Sequence, residues 1–173
     1  IKRILELGAK DYIVKAQFSP DEVLEKVHKY VDKGAASSKE EDKKKASGIK
    51  ILIVEDDPFL SSLASGRLQK EGYNITIAAD GTQALKMLEG DIPDLILLDV
   101  IMPGMSGFEV LRTIKADPRL KDMAVIIFSN LGQEHEIEEG KKLGADEFLV
   151  KAKFTLKEVV DKIEGLLKRK GKI

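Results

Sequence analysis

Asp94-Leu95-Ile96-Leu97-Leu98-Asp99 sets the fold class of this chain. Four apolar residues stand between two acids without alternating with polar ones. That is the pattern of a strand covered on both faces, as in a parallel sheet. The run is strand length and falls far short of the roughly 20 apolar residues that span a bilayer.

Ile51–Val54 repeats the pattern upstream, and Tyr73–Ala78, Met123–Phe128 and Glu147–Val150 read as further strands. Helices are predicted between them. Asp57-Pro58 starts the first, with a carboxylate to cap and proline at the first helical position, and Gly72 stops it. Gly81–Leu88, Phe108–Ala116 and Glu134–Leu143 supply the next three. The last, Thr155–Arg169, carries Val159, Ile163, Leu166 and Leu167 on one face. Five strands alternating with five helices predict an α/β, doubly wound parallel sheet with helices on both faces. In such sheets ligands bind beyond the carboxyl ends of the strands.

Composition narrows the function. The chain has 173 residues, 43% hydrophobic and 34% charged, with a net charge of -1 and no cysteine. Disulfides and thiolate metal sites are excluded, and no global field draws the chain to nucleic acid or lipid. The N-terminus lacks a signal-peptide pattern, so a cytoplasmic protein without a membrane role is expected.

An internal repeat sets domain organisation. Ile1 placed against Ile137 aligns 31 residues without gaps, eleven of them identical, including Leu7-Gly8-Ala9 with Leu143-Gly144-Ala145 and Val14-Lys15-Ala16 with Val150-Lys151-Ala152. Residues 1–33 therefore read as the end of a second domain of the same type, too small to fold alone. Packing in cis, pairing between chains as a homodimer, and truncation of a tandem protein all stay open. Residues 34–48, GAASSKEEDKKKASG, read as a linker, either a solvated tether or a charge-paired helical extension. Residues 49–170 form the complete domain.

Glu55 and Asp56 directly follow the first strand and Asp99 ends the third, so the topology brings three carboxylates to one edge. Like charges at close range need a positive partner to stay ionised. An oxygen-only cluster suits a hard cation, and Mg²⁺ fits an open site of few carboxylates. Lys151, after Phe148-Leu149-Val150, points an ammonium at the same edge. Ser129 offers a hydroxyl that can donate to a phosphoryl oxygen.

The blocks ILIVEDD at 51–57, PDLILLDVIMPGMSGFEVL at 93–111, IIFSN at 126–130 and GADEFLVKAKF at 144–154 resemble response-regulator receiver domains, of the chemotaxis-regulator type, from two-component systems. The resemblance implies a flavodoxin-like sheet of strand order 2-1-3-4-5 with Asp99 as phosphoacceptor. It implies Asp56 as a direct Mg²⁺ ligand, Glu55 acting through a water, and the Ile101 backbone carbonyl completing the metal shell. Ser129 matches the switch hydroxyl, Lys151 the lysine that pairs with the phosphoryl group, and Phe148 the switch aromatic. Implied partners are a histidine kinase or phosphotransfer protein as donor and a downstream protein target. Such a domain catalyses its own phosphorylation and dephosphorylation without being a turnover enzyme.

The sequence departs from the family pattern in three respects. Ala152 follows Lys151 where a proline after a cis bond is usual; a non-proline cis bond costs about 2.5–4 kcal/mol, leaving strain or another path for the loop. Asn130 stands where a small residue is usual. Ile101 and Leu131 are apolar where polar side chains would orient an attacking water, which predicts slow hydrolysis of a phosphoaspartate.

Two rival readings differ in class. A haloacid-dehalogenase-type phosphatase needs a second acid two residues beyond the nucleophile, and Ile101 stands there. A non-phosphorylated pseudo-receiver, serving only to dock a protein, would be expected to lack part of the acidic pair or the lysine, and all are present. No helix-turn-helix pattern follows Lys170, so nucleic acid is not an expected partner.

Overall fold

The structure is a computed structural model and describes residues 48–173. The partial repeat at 1–33 and nearly all of the predicted linker lie outside the described residues. Ten elements follow in alternation: β1 (Lys50–Val54), α1 (Pro58–Lys70), β2 (Asn74–Ala78), α2 (Gly81–Gly90), β3 (Leu95–Leu98), α3 (Gly107–Ala116), β4 (Ala124–Ser129), α4 (Glu134–Lys142), β5 (Glu147–Val150) and α5 (Leu156–Arg169).

All strand pairs are parallel, in the order β2-β1-β3-β4-β5. Each connection leaves one strand end, passes through a helix and returns to the start of a parallel neighbour, so helices cover both faces. Side chains alternate between those faces. Ile51, Ile53, Leu95, Leu97 and Ile126 pack with Leu68 of α1 and Ile163 and Leu167 of α5. Leu52, Val54, Ile96, Leu98, Val125 and Ile127 pack with Leu88 of α2 and Val110, Leu111 and Ile114 of α3. Ile163 is fully buried, and an aliphatic side chain so covered contributes about 1.5–3 kcal/mol relative to exposure.

Local chemistry sets the helix boundaries. The Asp57 carboxylate accepts from the Phe59 and Leu60 N–H groups, with Pro58 at the first helical position, and Gly72 leaves α1 at a φ of 93°. Ser106 with Glu109 and Thr155 with Glu158 form reciprocal capping boxes at α3 and α5. Glu136 reaches back to the Gly132 and Gln133 N–H groups ahead of α4.

One segment takes a form that the periodicity does not reveal. After β5 the chain enters a 3-10 turn at Lys151–Lys153, and no peptide bond among the described residues is cis. With Ala152 in place of proline the loop takes its other path.

Candidate functional site

The register carries four strand ends to one edge. Val54 pairs with Leu98, Leu98 with Ile127, and Ser129 with Val150. Glu55 and Asp56 therefore leave β1 beside Asp99 leaving β3, with Ser129 ending β4 and Lys151 following β5.

Asp99 is held through both carboxylate oxygens. Its Oδ1 accepts from the Val100 N–H at 2.6 Å, the Ile101 N–H at 3.1 Å and the Ser129 hydroxyl at 2.6 Å. Its Oδ2 accepts from Lys151 Nζ at 2.6 Å. The same ammonium donates to Glu55 Oε2 at 2.5 Å. Asp99 keeps only 6% exposure, less than a strand-end position suggests, because Lys151 takes one oxygen and backbone and hydroxyl donors take the other.

Gly107 brings the backbone this close. A Cβ there would stand 2.1 Å from the Asp99 carbonyl oxygen, so only glycine lets α3 start against the end of β3. Its N–H donates to the Val100 carbonyl at 3.0 Å. The sequence held no signal for this approach beyond a glycine at a helix start.

The electrostatics turn on Lys151. Burial pushes the Glu55 carboxyl above its usual range, the Lys151 hydrogen bond and charge pull it back, and the Asp99 and Asp56 charges add to the rise. Burial alone would lower the Lys151 ammonium, but its hydrogen bonds to Asp99 and Glu55 outweigh that and hold it above the ordinary lysine value. Nζ also lies 5.8 Å from the centre of the Phe128 ring, within cation–π range. The positive group that the acidic edge requires is thus this lysine.

Glu55, Asp56 and Asp99 each offer a carboxylate oxygen within 4.8 Å of the others. Asp56 is exposed and Glu55 and Asp99 are buried, so the set is open on one side. Three hard oxygens without histidine or cysteine match a small divalent cation that keeps water ligands.

A family model, the response regulator receiver domain, matches residues 51–164. The chain belongs to the response regulator receiver domain family. The receiver domain is 36% identical over 124 residues to the DNA-binding dual master transcriptional regulator RpaA of Synechocystis, covering 72% of this chain and 51% of that protein. It is 40% identical over 120 residues to the transcriptional regulatory protein CpxR of Escherichia coli K12, covering 69% of this chain and 50% of that one. The chain spans about half the length of these curated relatives. Among solved structures, a Vibrio cholerae chemotaxis protein CheY4 superimposes with a TM-score of 0.65 at 30% identity, covering 69% of this chain and 98% of that chain. In this receiver domain no helix among the described residues is long and apolar enough to cross a membrane.

The remaining named residues have defined places. Phe148 stands half-buried on β5, packed against the α2–α3 side of the core. Ile101 is 54% exposed beside the site, with its N–H engaged by Asp99. Leu131 is partly buried and Asn130 exposed. The sequence reading passed over Phe128, and with it a cavity of 170 Å³ lined by Leu60, Leu63, Phe128 and Phe154 together with Glu55, Asp99 and Lys151. Its walls come from α1, β4 and the turn before α5, which lie far apart in the chain, so no local pattern announced it.

Proposed function

We propose that this receiver domain accepts a phosphoryl group on Asp99 from a phosphohistidine donor and uses it to switch a protein-binding face. The observation that carries the reading is the convergence of Ser129, Lys151 and two backbone N–H groups on one carboxylate that also belongs to a three-acid cluster.

Glu55, Asp56, Asp99 and the Ile101 backbone carbonyl would hold Mg²⁺, which when bound supplies charge neutralisation and polarises the donor phosphoryl group. The chain's own groups do the rest. An Asp99 carboxylate oxygen attacks phosphorus in line; the new O–P bond forms as the P–N bond to the donor imidazole breaks, and that nitrogen leaves with the electron pair. For this the Lys151–Asp99 ion pair must open. Lys151 then pairs with a phosphoryl oxygen and Ser129 turns its hydroxyl toward another.

The product adds about -1.5 to -2 charges at the end of β3. Movement of Ser129 toward them vacates space beside β5, Phe148 turns inward, and the face of α4, β5 and α5 changes shape. The relatives' names describe DNA-binding and transcriptional regulators; in this chain a histidine kinase or phosphotransfer protein would be the donor, with a protein as target.

Intact-mass measurement after treatment with acetyl phosphate and Mg²⁺ tests the proposal. Wild type should gain one acid-labile phosphoryl group and Asp99→Asn none. Labelling that survives in Asp99→Asn refutes the assignment. A wild type that takes neither label nor Mg²⁺ would instead be a docking module.

A further inference from the structure

The segment running from β4 into α4 lies on β5 through two glycines. A Cβ on Gly132 would stand 3.1 Å from Val150 Cγ1, and one on Gly140 would stand 2.8 Å from both Phe148 Cδ2 and Ile127 Cδ1. Phe148 and Val150, two residues apart on a strand, share one face of the sheet. Each is therefore met by a glycine.

Gly140 is also the sole buried residue of α4, a helix otherwise made mainly of Glu and Lys. Glycine inside a helix is less favourable than alanine, and here it sits where the helix touches the sheet. Gly66 of α1, Gly90 of α2 and Gly165 of α5 have no neighbour within 4 Å of such a Cβ, whereas the glycines that open α2 and α3, Gly81 and Gly107, are as closely met as Gly140 but by residues outside β5. A methyl at 140 would meet Ile127, fully buried in the core, and the half-buried Phe148 ring. Of the two, the ring has room to leave.

We propose that Gly140 is a positioning residue of the switch: it keeps the seat of the Phe148 ring in the unphosphorylated domain, and departure of the ring frees α4. This rests on the phosphoryl switch proposed above. α4, which buries no residue of its own but Gly140, has two seatings on β5, and the ring selects between them. A side chain at 140 penalises the resting seating and leaves the displaced one untouched. Anything that binds the displaced state then binds more tightly, because the resting state competes less.

The test is equilibrium binding of beryllofluoride with Mg²⁺, a mimic of the acyl phosphate, to the 173-residue chain. Gly140→Ala should bind about fivefold more tightly than wild type, Gly165→Ala should bind as wild type does, and the gain should vanish when Phe148→Ala is added. Unchanged or weaker binding by Gly140→Ala overturns the inference, as does a gain that persists without the ring. In the wild type itself, a nuclear Overhauser contact between the Phe148 ring and the Gly140 α-protons should be present in the free domain and lost at saturation; its persistence also overturns the inference. Wild type that takes neither beryllofluoride nor the acetyl phosphate label brings down the phosphoacceptor reading and this inference with it. Normal wild-type binding with Gly140→Ala equal to Gly165→Ala brings down this inference alone.

Discussion

Lys151 and Glu55, 96 residues apart in the chain, are joined by a hydrogen-bonded ion pair of 2.5 Å between Nζ and Oε2. The ammonium divides itself between Glu55 and Asp99, so the acidic edge carries its own counter-charge. In a site this covered, such a pair holds carboxylates together that would otherwise repel.

Its pH dependence has a definite sign. The folded-state ammonium is held above the ordinary lysine value, so its contribution to stability is fully present below that value and is lost as pH rises through the folded one. Lys151→Met should lower stability by about 2 kcal/mol at neutral pH without Mg²⁺, less than a fully buried pair would cost because Asp56 opens the cluster to water. Denaturant titrations of the two proteins should draw together above about pH 10. A gap that stays constant into that range contradicts the ion pair's role.

Divalent-ion binding should register as stability. At ten times its dissociation constant, Mg²⁺ should add about 1.4 kcal/mol, a rise of roughly 4–6 °C in melting temperature for a domain of this size. Asp56→Asn should lose most of that gain, and excess chelator should abolish it in wild type. Equal gains in both proteins would place the ion elsewhere.

Close backbone approach at Gly107 should show as both stability and chemistry. A Cβ 2.1 Å from the Asp99 carbonyl oxygen and 2.8 Å from Val100 Cα has nowhere to go without moving the end of β3. Gly107→Ala should cost about 2–3 kcal/mol and reduce labelling by acetyl phosphate. Gly165→Ala, with open space around it, should do neither. Thermal melts and mass spectra of the two variants decide the matter.

Slow loss of the phosphoryl group is expected from the apolar side chains at Ile101 and Leu131. Neither orients a water for attack on phosphorus, so the phosphoaspartate should persist for minutes or longer with Mg²⁺ present. Ile101→Asn, at a side chain 54% exposed, should shorten that lifetime roughly tenfold by supplying a polar group. A wild-type half-life of seconds would contradict this.

Much of this protein was legible in its sequence. Unbroken apolar runs such as Leu95–Leu98 announce strands buried on both faces, and Asp57-Pro58 and Gly72 mark helix ends, because strand burial and capping depend on residues close in the chain. Alternation of strands and helices then sends Glu55, Asp56, Asp99, Ser129 and Lys151 to one edge. What the three-dimensional packing alone decided is how those groups share their hydrogen bonds: Lys151 bridging two acids, Ser129 spending its proton on Asp99 Oδ1, Gly107 and Gly140 admitting neighbours that no side chain would allow. Those choices depend on tertiary distances held to a fraction of an ångström between residues on different elements, and no local pattern of polarity or size encodes such distances.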